Sequence, residues 1–235
     1  MSKGICKYPV VACRREANER SEMVTQLLYG EHYEVLENTG EWIHIKSDRD
    51  NYESWIDSKL HTAFTNNEED QFVLPFPFNS IKNKEGVNFL LPGASLVDRS
   101  IWNDSEAGDL IQTALSYKDA PYLWGGRTSW GIDCSGFVQV VYQIHGMDIS
   151  RDAYQQAELG EPVEFNALIE PGDLAFFAKE EEKISHVGIC LGDEKIIHAS
   201  GKVRIDKLDH LGIYNSDLNK YTHELRLLKR IKKAV

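Results

Sequence analysis

The chain is poor in the residues that would mark an oxidising or membranous setting. Four cysteines in 235 residues, Cys6, Cys13, Cys134 and Cys190, are too few for a disulfide scaffold, and a reducing compartment leaves them as thiols. No run of about 18 apolar residues occurs, which excludes a membrane-spanning helix. The opening "MSKGICKYPVVACRRE" lacks the apolar stretch and small-residue cleavage site of a secretory signal, so the expected location is cytoplasmic, with no membrane partner. Basic charge is also scarce: 26 Lys and Arg stand against 37 Asp and Glu, a formal charge of -11. That balance excludes nucleic acid as a partner, because phosphate binding needs basic patches, and it disfavours anionic polymers generally. The terminal "KRIKKAV" reads as the solvated end of a last strand. With 7 prolines, 42% hydrophobic and 27% charged residues, what remains is the composition of a globular protein with a core to bury.

From Met23 to Leu60 short apolar runs alternate with turns: "MVTQLLYG", "HYEVLENTG", "EWIHIKSDRDN" and "YESWIDSKL". Strands of about five residues spaced every 8 to 12 predict a small antiparallel barrel, with Tyr33, Trp42 and Trp55 as its core aromatics. The pieces "SEMVTQLLYGE" and "YESWID" resemble the bacterial SH3-like domain. Residues 63–98, with "FVLPFPF" and "GVNFLLPGASL", read as strand segments broken by prolines that complete this barrel. The domain boundary is placed near residue 99.

Beyond it the pattern turns helical. Asp104 or Ser105 can cap a first helix whose apolar face is Leu110, Ile111, Ala114 and Leu115 and which Pro121 ends. A second helix begins at Cys134, with Phe137, Val138, Val141 and Ile144 on one side and Gly146 as its stop. At a helix start, unpaired backbone N–H groups and the macrodipole favour a thiolate. The bland reading of a lone cysteine is buried packing, and it suits Cys6, Cys13 and Cys190. Cys134 differs in its polar, glycine-rich setting, "YLWGGRTSWG" before and "SG" after, where glycines allow a substrate close to the backbone.

A nucleophile needs a base, and the base an orienting group. His32, His44, His61, His145, His210 and His223 lie in polar or turn-like surroundings and read as surface residues. His186 and His198, in "ISHVGICLGDEKIIHASG", flank a turn and predict a hairpin. A three-residue loop, Gly192 to Glu194, would set Gly188 opposite His198 and place both histidines on one face, about 7 to 8 Å apart on a diagonal. Gly188 then leaves room for the His198 ring.

The ordered series "YLWGG", "DCSGF", "RDAYQQ", "PGDLAFF", "SHVGIC" and "IIHAS" resembles the NlpC/P60 family of bacterial cell-wall cysteine peptidases over roughly residues 100 to 235. The expected architecture is therefore α+β: an SH3-like β-barrel in residues 1–98, then a papain-like α+β cysteine peptidase domain in residues 99–235. The resemblance implies Cys134 as nucleophile, with His186 and His198 as its strand-borne partners; geometry makes His186 the base and His198 the residue that orients it. By the same analogy Tyr122 joins the Cys134 backbone N–H in stabilising an oxyanion. Asp133 has two readings, helix N-cap or, as the relatives imply, partner of a substrate's free α-amine. Ser135, Arg151 and Asp152 line the same pocket in this reading.

Barrel plus peptidase resembles γ-D-glutamyl-L-diamino-acid endopeptidases that trim free peptidoglycan-derived peptides bearing an N-terminal L-Ala, and it implies barrel contacts to substrate from Glu22 and Tyr52. No cofactor is implied. The competing readings are a hydrolase or amidase acting on intact peptidoglycan, a zinc hydrolase with Cys134, His186 and His198 as ligands, and a non-catalytic binding module.

Overall fold

In the computed structural model the described residues are 2–64, 72–73, 79–83, 86–90, 93, 95–96, 109–164, 169–178 and 183–232. The chain divides into two compact units, Met1–Ala107 with Trp124–Ser129, and Gly108–Leu123 with Trp130–Val235. The boundary expected near residue 99 lies outside the described residues, as do Asp104 and Ser105.

In the first unit, strands β1 (Lys3–Ile5), β2 (Val10–Arg14), β3 (Met23–Leu28), β4 (His32–Asn38), β5 (Trp42–Ser47) and β6 (Glu53–Asp57) make the predicted antiparallel barrel. Their order is β1-β4-β5-β6-β2-β3, so the first two strands, unread in the sequence, supply an edge and an inner position. Val11, Cys13, Leu27, Tyr33, Ile43, Ile45 and Ile56 form the core. Tyr33 fills it as expected, but Trp42 and Trp55 are only half-buried. Strand alternation explains this: Ile43, Ile45 and Ile56 take the inner face, which turns both tryptophans outward, and Trp55 stacks on His44 at 4.7 Å instead.

Strands β7 (Phe72–Val73), β8 (Asn79–Asn83), β9 (Gly86–Leu90) and β10 (Ser95–Leu96) do not complete the barrel. They pair with one another, β8 with β9 and β7 with β10. The segment Trp124–Ser129, which holds β11 (Arg127–Thr128), also belongs to this unit. Arg127 is 4% exposed and its guanidinium forks onto Glu31 at 2.8 and 2.9 Å, while its backbone N–H donates to Gln26 Oε1 at 2.8 Å. A Cβ on Gly125 would come within 2.4 Å of the Met23 carbonyl oxygen. Gly125 and Arg127 of "WGGR" thus meet barrel backbone and a barrel carboxylate, which gives these two residues a packing role.

The second unit contains α1 (Leu110–Ser116), β12 (Gly131–Ile132), α2 (Cys134–Ile144), α3 (Ala153–Gln156), β13 (Glu161–Val163), β14 (Leu174–Phe177), β15 (His186–Gly192), β16 (Lys195–Ser200), β17 (Lys202–Asp209), β18 (Gly212–Asn215) and β19 (Lys220–Arg230). Asp109 caps α1 by accepting the Gln112 N–H at 2.8 Å, and Leu115 is exposed, so the buried face of α1 is narrower than predicted. The sheet runs β13-β19-β14-β15-β16-β17-β18, and β19 pairs with β18 as well, which closes it. Every residue of α2 from Cys134 to Gln143 is buried, and Gly146 stops the chain at φ 75° as the sequence suggested. Alternation splits the sheet: Phe176, Val187, Ile197 and Val203 join the core that contains α2, while Phe177, Cys190, Ile196 and Leu208 form a second core. No helix among the described residues is long and apolar enough to cross a membrane.

Candidate active site

Cys134 is the first residue of α2 and is 6% exposed. Its Sγ lies 3.9 Å from the Ser185 carbonyl oxygen, so the helix start meets the residue just before β15 and His186. Asp133 is the N-cap, its Oδ1 accepting the Gly136 N–H at 2.7 Å. The buried Arg151 binds the same carboxylate at both oxygens, at 3.0 and 2.6 Å, and also donates to Ser135 Oγ at 2.9 Å. Asp133, Ser135 and Arg151 are therefore brought together, with the acid already capped and paired. Asp152 stands apart from them as the cap of α3, its N–H donating to Gln155 Oε1 at 3.2 Å.

The β15–β16 hairpin has the predicted register, Gly188 opposite His198, for a different reason. Its turn is two residues, Asp193 and Glu194 at φ 48° and 55°, and such a turn alone would send the histidines to opposite faces. A bulge between Cys190 and Gly192 supplies the missing residue and restores the parity. A Cβ on Gly188 would lie 2.9 Å from His198 Cβ and 2.7 Å from Ile196 Cδ1, so the position has no room for a side chain.

His186 Nε2 and His198 Nδ1 are 2.8 Å apart, and His198 Nε2 is 3.1 Å from Asp206 Oδ2. Arg204 holds Asp206 in turn, at 2.7 and 2.9 Å, and bridges to Asp217 at 2.8 Å. The sequence reading missed Asp206. The signal was present: β17 pairs His198 with Arg204, and two residues further along the strand Asp206 faces the same side. The carboxylate only accepts, so His198 carries its proton on Nε2, accepts from the His186 Nε2–H on Nδ1, and leaves His186 Nδ1 with a lone pair.

His223, read as a surface residue, belongs to this cluster. It is half-buried, stacks on His186 with centroids 4.1 Å apart, and bonds through Nδ1 to Thr222 Oγ1 at 2.9 Å. Among the other histidines, His61 bonds to Tyr33 and His145 to Thr113.

Burial sets the electrostatics. It pushes the Cys134 thiol up to about 12, with the Asp133 charge adding to the rise. It holds His186 well below the usual imidazole range, with His198 and His223 contributing. His198 is lowered by burial too, partly offset by Asp206. Burial thus favours the neutral thiol and the neutral imidazole, and the Asp133 charge works in the same direction on the thiol, against the pull of the helix start toward a thiolate. Burial raises the Tyr122 phenol, and charge on Cys134 and Asp133 raises it further. Glu22 and Tyr52 lie in the first unit. Glu22 there accepts from Arg15 Nε and Trp124 Nε1, each at 2.6 Å, and Arg15 chiefly lowers its carboxyl.

Comparison with known proteins gives the family. Residues 119–223 match the NlpC/P60 family and residues 13–59 the bacterial dipeptidyl-peptidase Sh3 domain. A γ-D-glutamyl-L-lysine dipeptidyl-peptidase of Bacillus subtilis is 31% identical, across 74% of this chain and 71% of that protein. The chain belongs to the NlpC/P60 family. It is a cysteine peptidase of that family with an N-terminal SH3-like domain. A Bacillus cereus protein of the same name is 40% identical over 40% of this NlpC/P60 chain and 28% of its own length. The crystal structure of an NlpC/P60 family protein from Bacillus cereus covers 97% of this chain and 99% of its own with a TM-score of 0.77; at 18% identity it speaks for the fold alone.

Proposed function

We propose that this peptidase cleaves the γ-D-glutamyl–diamino acid bond of free peptidoglycan-derived peptides with an N-terminal L-Ala, in cytoplasmic turnover of those peptides. The observation that carries the chemistry is the line His186–His198–Asp206, which leaves a lone pair on His186 Nδ1, with Cys134 Sγ 3.9 Å from the carbonyl oxygen of the preceding residue, Ser185. The Bacillus subtilis relative, matched over 71% of its length, supports the bond. The charge of -11 supports a small peptide over an anionic wall polymer.

In this reading Cys134 Sγ attacks the γ-carbonyl carbon as His186 Nδ1 takes the thiol proton. The Cys134 N–H and the Tyr122 hydroxyl receive the oxyanion. The imidazolium returns its proton to the leaving amine, and water then releases the dipeptide from the thioester by the reverse proton path. Proton transfer in step with attack suits a pair that rests neutral.

Asp133 and Ser135, fixed by Arg151, would receive the substrate's α-ammonium. Arg151 already neutralises the carboxylate, so acetylating the L-Ala nitrogen removes one charge-assisted hydrogen bond without stranding a charge, a loss of about 1.5 to 3 kcal/mol. The test compares L-Ala-γ-D-Glu-diaminopimelate with its N-acetyl form. A drop in kcat/KM of about tenfold to a hundredfold is expected. Equal rates, with cleavage of intact peptidoglycan, would make the enzyme a wall hydrolase instead.

A further inference from the structure

Among the described residues, one group of three side chains has metal-ligating nitrogens gathered within 4.8 Å of one another: His186, His198 and His223. The catalytic reading uses two of them and leaves His223 without a task. All three are imidazoles lodged in the second unit, two buried and one half-buried. Two already carry an outer partner of the kind metal-bound imidazoles use: His198 Nε2 sits against Asp206 at 3.1 Å, which leaves Nδ1 as its donor, and His223 Nδ1 sits against Thr222 Oγ1 at 2.9 Å, a hydroxyl that can accept the Nδ1 proton and leave Nε2 for an ion. A carboxylate behind the ring fixes the tautomer and raises the ligand's basicity.

We propose that His186, His198 and His223 form a binding site for a borderline divalent ion of the zinc class, and that its occupancy switches the peptidase off. Zinc–nitrogen bonds of about 2.0 to 2.1 Å put tetrahedral ligands roughly 3.3 to 3.4 Å apart. The 2.8 Å gap between His186 Nε2 and His198 Nδ1 has to open by only about half an ångström to reach that spacing, and His223 turns out of its stack to give the third ligand, with water as the fourth.

The consequence for catalysis is a tautomer change. The His186 Nε2 proton, now donated to His198, gives way to the metal and moves through solvent to Nδ1, and His198 Nδ1 redirects its lone pair from that proton to the ion. No electron is transferred, and each ring stays neutral. His186 Nδ1, which has to take the thiol proton, is then protonated and cannot.

The inhibitory part rests on the function proposed above; binding itself does not, and is measured apart from it. Cys134→Ala removes the competing thiol and any need for turnover. Titrated with Zn²⁺ against a chelating indicator, or with Co²⁺ followed by its visible d–d bands, this chain is expected to bind one metal in four-coordinate form. Adding His223→Ala should weaken binding at least tenfold, and adding Thr222→Val about tenfold, the usual loss for an outer partner. With Cys134 intact, Zn²⁺ should inhibit, a chelator should restore activity, and His223→Ala should raise the inhibitory concentration at least tenfold. If His223→Ala does not fold, His223→Gln with the same titration replaces it. No binding at millimolar metal, or equal binding with and without His223, overturns the site. Binding without inhibition of an active enzyme overturns the switch.

Discussion

Asp206→Asn tests the relay at its far end. Asp206 receives His198 Nε2 at 3.1 Å and Arg204 at 2.7 and 2.9 Å, so every donor around it points inward. An amide of the same shape has to aim its NH₂ at one of those donors. Arg204 cannot change its protonation, but His198 can change tautomer. The low-energy outcome sets the amide N–H against His198 Nε2, moves the His198 proton to Nδ1 and turns the His186 hydrogen bond around, so His186 carries its proton on Nδ1. The base is then blocked in a protein whose fold is intact, and His186 itself still has to tautomerise before each turnover. Inverting a histidine tautomer directly behind a nucleophile costs up to about 10⁴ in kcat. One ring further away, a fall of about a hundredfold to a thousandfold is expected, roughly 2.7 to 4 kcal/mol. The assay is steady-state peptide hydrolysis with ¹⁵N NMR of the imidazoles. The loss should fall on kcat with KM little changed, the His186 resonances should report the inverted tautomer, and Asp206→Glu should recover part of the rate. An Asn variant within threefold of wild type would refute the relay.

Other outcomes follow from the same geometry. Because burial lowers His186 and raises Cys134 to about 12, kcat/KM should hold a plateau from below pH 6.5 to at least about pH 9, and alkylation by iodoacetamide should be slow at neutral pH and climb with pH; a bell centred near neutrality would contradict the neutral pair. His186 and His198 are both depressed in the folded state, so the stability they contribute is whole above the unfolded imidazole pKa of about 6.5 and is lost as pH falls from there toward their folded values, which a melting series would show as a declining Tm. Gly188→Ala should displace His198 and cut kcat at least tenfold, since its Cβ would sit 2.9 Å from that of His198; wild-type turnover would contradict the packing. Arg127→Met leaves the buried Glu31 without its bidentate partner and should cost about 3 to 5 kcal/mol in denaturant unfolding of the first unit.

What the sequence made legible were features decided within a few residues. The cap and first turn of α2, its stop at Gly146, and the facing of His186 and His198 all depend on local spacing. Even there the bulge at Leu191 was invisible, because a bulged pair and a three-residue loop leave the same parity in a string of letters. Asp206 needed a second hairpin counted across the Gly201 turn, the same exercise carried one strand further. His223 could not be reached that way: it arrives on β19, whose place between β13 and β14 is set by the order of the whole sheet. The packing of Gly125 and Arg127 was out of reach for a related reason, since they sit next to the cysteine motif in sequence yet are occupied by Met23 and Glu31 of the barrel unit. The thiol's electrostatics depend on how deeply the helix start is buried, which sequence position alone does not give.

The most direct measurement is intact-mass spectrometry of the enzyme quenched with acid during turnover of L-Ala-γ-D-Glu-diaminopimelate, followed by peptide mapping. An L-Ala-γ-D-Glu acyl group on Cys134, absent from Cys134→Ala and accumulating when His186 is replaced only if acylation still proceeds, is the expected result. Turnover with no adduct at Cys134, abolished by a metal chelator and insensitive to alkylation, would contradict the cysteine mechanism and return the Cys134, His186 and His198 set to zinc chemistry.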